Sequence, residues 1–272
     1  MADTPNTIPA RLAHLADQRS DSTLLRPDKD DDPMKIVDRM WSLMGLLYKP
    51  HPWHGVSIGK HAPETVTAYI EIVPTDTVKY EVDKRTGYLK VDRPNKFSSV
   101  YPANYGFLPQ SYAGKRVAAL CKEATGLDVD GDHDPLDIFV ISEKSIGHGN
   151  IIVDAVPIGG IRMIDDGEAD DKIIAVLKGD AVYGHWTDVE EMPSSVTDAI
   201  VHFLSTYKQA PGVSETKVTI AEVYGREEAH KVILASVHDY DEKYANLRDL
   251  LTQTIFQAVL SSGATLSDDE SI

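Results

Sequence analysis

The chain has 272 residues, 42% of them hydrophobic, and a formal net charge of −16. This length and composition support a sizeable buried core, whereas the acidic balance disfavours a nucleic-acid or anionic-membrane partner, since both require a basic face. The single cysteine, Cys121, excludes an intrachain disulfide framework and fits a reducing compartment. The first 21 residues lack the basic-then-apolar order of a signal peptide, and no apolar stretch approaches the length of a membrane span. We therefore expect a cytoplasmic protein that binds neither nucleic acid nor membrane.

Residues 1–60 are expected to form an extension ahead of the main domain. The first 33 residues are polar, charged and interrupted by four prolines, which predicts a disordered start. Pro33 follows Asp32, and a proline in the first turn behind an aspartate cap favours the start of a helix. Apolar residues then recur at helical spacing over about residues 34–47. This pattern predicts a short amphipathic helix that packs on the main domain or on a sister subunit.

From residue 65 the apolar period becomes that of β-strands. Residues 65–73 are rich in β-branched side chains, and residues 78–83 alternate before a Thr86-Gly87 turn into a strand at 88–92. Further strands are predicted at 137–142, 151–158, 160–164, 172–177 and 217–223. Several short strands with Gly/Pro turns, and no alternation of strands with helices, favour a closed β barrel over a parallel sheet.

Two helices are predicted after most of the strands. One covers about residues 194–208, and the other covers about 226–260 with a break near residues 239–241. Residues 261–272 are polar and acidic and are expected to form a flexible tail. The predicted class is mainly β with flanking helices (α+β), with the main domain at residues 61–260.

Five aspartates fall within ten residues, from Asp128 to Asp137, directly before an apolar run. Carboxylates this close raise each other's pKa and stay ionised only beside strong positive charge, which hard divalent cations such as Mg²⁺ supply. The alternative interpretation is a solvated acidic loop. An EF-hand is excluded because its glycine and closing-acid positions are His133 and Phe139. A D-x-D nucleophile of the haloacid-dehalogenase type usually ends a strand, whereas these aspartates precede one.

The sequence resembles the soluble family I inorganic pyrophosphatases through roughly residues 65–210. The family signature, D-x-D-P-x-D followed by an aliphatic residue, reads D-H-D-P-L-D-I over residues 132–138. Around it, in the family's order, lie the segments 70–72, 78–83, 91–93, 101–106, 165–172 and 202–208. The resemblance implies a closed five-stranded OB-like β barrel. It also implies an enzyme that hydrolyses inorganic pyrophosphate to two phosphates. It also implies a homo-oligomer that uses several Mg²⁺ ions, with Mn²⁺ or other divalent cations as substitutes.

The resemblance further implies a role for each matching side chain. The implied metal-binding residues are Glu71, Asp132, Asp137, Asp165 and Asp170. Asp134 is implied to accept the proton of the attacking water, Tyr105 to hydrogen-bond near that water or the electrophilic phosphate, and Glu81 to orient the basic residues. The residues implied to hold the phosphoryl groups are Lys79, Arg93, Lys172, Tyr207 and Lys208.

These residue types suit the chemistry independently. Two metal ions about 3.5–4 Å apart can neutralise a phosphoanhydride and lower the pKa of a water molecule. Arginine and lysine side chains stabilise the charge that grows on the leaving phosphate, and the planar fork of Arg93 suits bidentate contact.

Two other functions stay open on the sequence alone. One is a broader phosphoanhydride hydrolase acting on nucleotides or short polyphosphates, although no motif for a nucleobase platform is visible. The other is an inactive homologue kept for partner binding, although no metal or clamp residue is missing. His133 departs from the family pattern; we expect it to face solvent, the alternative being a nitrogen ligand that shifts metal preference. Cys121 is expected to be structural.

Overall fold

The computed structural model describes residues 49–96, 98–209 and 218–261. The helix predicted at 34–47 and the tail beyond residue 261 lie outside these ranges, so both stay predictions. Within the described ranges, no helix combines the length and apolar character needed to cross a membrane.

Ten strands form in the described chain. They are β1 Val66–Ile72, β2 Val78–Val82, β3 Leu89–Pro94, β4 Asn104–Phe107, β5 Asp130–Gly131, β6 Asp137–Ile141, β7 Ile151–Asp165, β8 Glu168–Ala169, β9 Lys172–Leu177 and β10 Val218–Gly225. The α-helices are α1 Lys115–Thr125, α2 Ser194–Thr206 and α3 Arg226–Ser261. A short 3-10 helix covers Val189–Glu191.

The strands β1, β4, β6, β9 and β7 pair in that order, and β7 pairs back onto β1. This ring confirms the predicted closed five-stranded barrel. Its pairings are antiparallel except that of β6 with β9, which run parallel, so the barrel is not free of parallel pairing. β10 pairs with β7, and β2 and β3 form a separate hairpin.

The apolar run after the aspartates supplies both main cores. Successive residues of a strand point to opposite faces, and β6 follows this rule. Ile138 and Val140 pack in a core with Val232 of α3, whereas Phe139 packs in a second core with Phe203 of α2. These contacts on both faces anchor β6, whose first residue is Asp137.

A predicted interruption between two strands is absent from the barrel. Residues 151–158 and 160–164 were expected as two strands, but β7 runs through both, with irregular pairing to β9 between Pro157 and Gly159. At Gly160 a Cβ atom would stand 2.4 Å from the Tyr224 ring, and at Gly159 it would stand 2.6 Å from the Tyr224 carbonyl oxygen. The glycines therefore serve the close approach of β10 rather than a turn.

Helix α1 was not predicted, because its stabilising cap comes from a distant part of the chain. Its N-cap residue, Gly114, has no side chain to accept hydrogen bonds. Asp239 of α3 does so instead, accepting from the backbone N–H groups of Gly114 at 3.1 Å, Arg116 at 2.9 Å and Val117 at 3.2 Å. The break expected near residues 239–241 is also wrong, because the Asp239 carboxylate bonds to α1 and does not compete for its own helix backbone.

Replacing Asp239 with alanine is expected to lower the free energy of unfolding by about 2 kcal/mol, the scale of a lost helix cap with buried N–H donors left unpaired. Denaturant unfolding followed by circular dichroism measures this loss. Asp241→Ala, an exposed position on the same helix, serves as the control. Equal midpoints for the two variants would show that the Asp239 contacts add no stability.

Candidate active site

A cavity of about 540 Å³ lies beside the β2–β3 hairpin, the ends of β6 and β9, and the end of α2. Every side chain that the sequence assigned to the site lines it. These residues are Glu71, Lys79, Glu81, Arg93, Tyr105, Asp132, Asp134, Asp137, Asp165, Asp170, Lys172, Tyr207 and Lys208. The barrel and its flanking helix therefore collect, in one place, residues that span 138 positions of sequence.

The five-aspartate run divides into two groups. Asp132, Asp134 and Asp137 line the cavity, whereas Asp128 and Asp130 do not. Asp128 forms a surface ion pair with Lys122 at 2.7 Å, and Asp130 is exposed in β5. The solvated-loop interpretation thus holds for the first part of the run only.

The acidic loop ahead of β6 is fixed by backbone contacts with the segment before α1. The Ala113 N–H donates to the Asp134 carbonyl at 2.8 Å, and the Ala113 carbonyl accepts from the His133 N–H at 3.1 Å. Within the loop, Asp132 accepts from the Asp134 N–H at 2.9 Å. His133 is exposed, as expected, and its Nδ1 is hydrogen-bonded to the Tyr112 hydroxyl at 2.8 Å.

Lys172 is the buried cation at the centre of the acidic wall, with only 3% of its surface exposed. The parallel register of β6 and β9 places it beside Asp137. Its ammonium donates to Asp137 at 2.5 Å and also contacts Asp170. Burial acts to lower the pKa of Lys172, but the neighbouring Asp137 and Asp170 carboxylates raise it well above its usual value.

The pKa values of the carboxyl groups around Lys172 shift in different directions. Burial acts to raise the pKa of Asp170, yet Lys172 overcomes this effect and the net shift is downward. For Asp137, burial outweighs Lys172 and the pKa is raised; its carboxylate also accepts from the Tyr105 hydroxyl at 2.5 Å. Burial raises the pKa of Asp132 to about 9, helped by Asp170.

Glu71 faces this group from β1 and is 6% exposed. Burial raises its pKa to about 8, although the carboxylate accepts the Val82 N–H at 2.6 Å. Burial therefore disfavours the ionised forms of Glu71 and Asp132 in the absence of added positive charge. A nearby cation favours the ionised form, so the cavity has the electrostatic deficit that a divalent ion would fill.

The donor chemistry of the acidic wall fits a hard cation, because every candidate ligand is a carboxylate oxygen. Among the described residues, no three acidic, histidine or cysteine side chains are already grouped around one point. Lysine ammonium groups contact several of the carboxylates instead: Lys84 contacts Asp134 and Lys208 contacts Asp165. The donors are thus gathered in one cavity, with internal cations balancing part of their charge.

The β2–β3 hairpin carries two of the side chains that are expected to hold phosphate. Pairing of β2 with β3 places Lys79 opposite Arg93. The Lys79 ammonium lies 3.3 Å from Glu81 and 3.4 Å from Asp92, and Asp92 also contacts Arg93. Glu81 therefore contacts Lys79, whereas Asp92 contacts both Lys79 and Arg93.

The end of α2 carries two further residues of the expected clamp, Tyr207 and Lys208. Tyr207 stacks on Phe203 with ring centroids 5.1 Å apart, and the Lys208 ammonium lies 5.4 Å from the Tyr207 ring centroid. Lys208 also reaches Asp165 at the end of β7. The side chain of Tyr207 thus serves both the apolar core and the cavity.

Sequence reasoning missed several polar residues at the site. Lys84, Lys96 and Tyr101 line the cavity, and Asp92 supports Lys79 and Arg93 from outside the lining. Asp92 and Tyr101 lie in the segments that carry the family resemblance, which was a usable signal. Nothing in the local pattern distinguished Lys84 or Lys96 from a surface lysine.

Comparisons with known proteins agree with this geometry. The family model described as inorganic pyrophosphatase matches residues 68–241. The inorganic pyrophosphatase of Chlamydia muridarum is 49% identical over 195 residues, covering 70% of this chain and 93% of that protein. Soluble inorganic pyrophosphatase 1 of Arabidopsis thaliana is 39% identical over 193 residues, covering 71% of this chain and 81% of that protein.

Solved structures show the same likeness. The crystal structure of inorganic pyrophosphatase from Thermus thermophilus superposes with a TM-score of 0.58 at 29% identity, covering 68% of this chain and 97% of that one. The type I inorganic pyrophosphatase from P. falciparum gives a TM-score of 0.61 at 25% identity, covering 74% of this chain and 66% of that one.

Proposed function

The chain belongs to the inorganic pyrophosphatase family and hydrolyses inorganic pyrophosphate, and we propose that it does so with Mg²⁺ ions held by the carboxylates of its cavity. The proposal rests on one observation: the acidic residues and the cations of the expected phosphate clamp line a single cavity.

In this proposal Asp132, Asp137 and Asp170 would hold the ions that activate the attacking water, and Glu71 and Asp165, with Asp170, would hold the ions that enter with the substrate. The bound ions would neutralise the substrate and lower the pKa of that water molecule. Supporting observations are the all-oxygen donor set and the raised pKa values of Glu71 and Asp132. Mn²⁺ is a candidate substitute because it accepts the same ligands.

The protein's own groups handle the proton and the phosphates. Asp134 accepts the proton of the attacking water; its side chain is 42% exposed, so it can pass that proton to solvent. Tyr105 fixes the Asp137 carboxylate through its hydroxyl. Lys79, Arg93 and Lys208 hold the phosphoryl groups and stabilise the charge that develops on the leaving phosphate, while Lys172 and Tyr207 complete the contacts.

We also propose a cytoplasmic homo-oligomer. The chain's single cysteine, the fully buried Cys121, supports an enzyme of a reducing compartment. Exposed apolar side chains on β7 and β10, such as Ile152 at 58% and Val223 at 39% exposure, are compatible with subunit contacts.

A phosphate-release assay tests the metal proposal. We expect turnover of pyrophosphate with Mg²⁺, reversible loss in excess EDTA, and a rate that rises more steeply with free Mg²⁺ than a single-site curve, because several ions act together. ATP assayed in parallel separates a pyrophosphatase from a broader phosphoanhydride hydrolase. Full turnover in excess EDTA would refute the metal-dependent mechanism.

A further inference from the structure

Lys96 differs from the other cations that line the cavity. Lysines 79, 84, 172 and 208 and the guanidinium of Arg93 each contact a carboxylate. Within the described residues Lys96 contacts none. Its ammonium donates to the main-chain carbonyl of Lys208 at 3.4 Å, a long contact with a neutral acceptor. Lys96 therefore brings positive charge to the cavity that no described acid neutralises.

Lys96 also lines a small side chamber of about 10 Å³ next to the main cavity. Lys79 and Arg93 line both spaces, so the chamber continues from the phosphate clamp. Asn95 and Ser99 add polar groups, and no carboxylate of the described residues lines the chamber. The main cavity, in contrast, is lined by nine acidic residues. The chamber end is thus the cationic end of the site.

This charge arrangement has a consequence for substrate length. The chain as a whole is strongly acidic, so a polyanion is repelled except where local cations reverse the field. Pyrophosphate has two phosphoryl groups, which the clamp and the acidic wall with its cations hold between them. A third phosphoryl group held on the Arg93 and Lys96 side of the clamp, at the mouth of the water-sized chamber, would meet donors and positive charge, since no carboxylate of the described residues lines the chamber.

We propose that Lys96 forms an additional phosphate subsite that binds the third phosphoryl group of a triphosphate chain. The inference rests on the proposed clamp and extends it by one position. The shared ligand chemistry is a linear triphosphate, which inorganic tripolyphosphate and a nucleoside triphosphate both present. The subsite contributes to binding of the triphosphate. This holds both if the bound triphosphate is then hydrolysed and if it inhibits pyrophosphate hydrolysis.

The experiment compares Lys96→Met, which removes the charge at similar length, with Lys96→Arg, which keeps it. The inhibition constants of tripolyphosphate and of ATP against pyrophosphate hydrolysis are measured at fixed free Mg²⁺, together with KM for pyrophosphate. Lys96→Met is expected to weaken tripolyphosphate binding about tenfold, the scale of one lost charged hydrogen bond. KM for pyrophosphate should change by less than about threefold, and Lys96→Arg should restore most of the affinity.

Lys90→Met is the matched control, because Lys90 is exposed on the neighbouring strand and does not line the cavity. The Lys90→Met substitution makes the same change in net charge. It should leave unaltered the ratio of the inhibition constant of tripolyphosphate to KM for pyrophosphate. A Lys96→Met enzyme with an unaltered ratio would overturn the subsite, as would an equal rise in both constants, which would place Lys96 in the pyrophosphate clamp. If the melting temperature and kcat fall but the ratio of inhibition constant to KM does not change, the role of Lys96 is only its structural contact with Lys208.

The ATP series identifies the source of the triphosphate. Lys96-dependent binding of tripolyphosphate alone indicates an inorganic chain, and Lys96-dependent binding of both indicates the triphosphate group itself; either result supports the subsite. Wild-type hydrolysis of pyrophosphate with Mg²⁺ is measured in the same assays. That activity stands even if the subsite fails, so the two failures are distinguishable.

Discussion

Replacing Asp137 with asparagine is expected to reduce kcat for pyrophosphate by about 10³-fold, the scale of losing one preorganised electrostatic contact at a reacting centre. The Asp137 carboxylate accepts from the Lys172 ammonium and the Tyr105 hydroxyl, each at 2.5 Å. Asparagine keeps the shape and an acceptor oxygen but removes the negative charge. The proposed metal ligand and the partner of Lys172 are therefore lost together, while the strand geometry of β6 is retained.

Steady-state kinetics over a range of free Mg²⁺ measure this effect. The concentration of Mg²⁺ that gives half-maximal rate should rise as well, because a ligand charge is missing. Asp130→Asn is the matched control: Asp130 belongs to the same aspartate run, yet it is exposed and does not line the cavity. Comparable turnover in the two variants would show that Asp137 has no part in the reaction.

Replacing Lys172 with methionine is expected to lower the free energy of unfolding by about 3 kcal/mol, the range found when one partner of a buried ion pair is removed. Lys172 is 3% exposed and contacts both Asp137 and Asp170. Without its ammonium these carboxylates are buried together with less compensating charge. Turnover should also fall, because a proposed phosphate contact is missing.

The stability loss in Lys172→Met should depend on pH in a defined direction. Lys172 lowers the pKa of Asp170, and a lowered carboxyl pKa gives stability that is present above the unfolded value, near 4, and lost as pH falls through the folded value. Removing the cation raises the folded pKa values of Asp170 and Asp137. A raised folded pKa makes stability decrease as pH rises from about 4 toward that value.

The difference in melting temperature between wild type and Lys172→Met, measured in metal-free buffer, should therefore widen from pH 5 to pH 8. Lys178→Met, at an exposed position in the turn directly after β9, provides a control for loss of one positive charge. A difference that is constant over this pH range would mean that Lys172 stabilises the fold by packing alone.

The sequence by itself determined the elements with strong local patterns. The alternation over 78–83 and the β-branched run at 65–73 predicted β2 and β1 within a residue or two. The buried run after Asp137 predicted β6, and the helical spacing at 194–208 predicted α2. The ordered motifs, read through the family resemblance, predicted the closed barrel and a site set whose members all line one cavity. These features depend on residue type and short spacing, which a sequence states directly.

Tertiary structure alone decided features whose causes are far apart along the chain. Helix α1 is capped by Asp239, and β7 continues past Pro157 because β10 and β9 pair along it. β6 lies parallel to β9, whereas β7, which comes between them in sequence, runs antiparallel to β9. Closure of the barrel also decides which carboxylate each of the other cavity lysines contacts. It leaves Lys96 without a carboxylate partner among the described residues. A pattern of period two or 3.6 records which face of an element is buried, but it carries no information about which distant element covers that face. That choice is made only when the barrel closes and brings the paired charges within a few ångströms of each other.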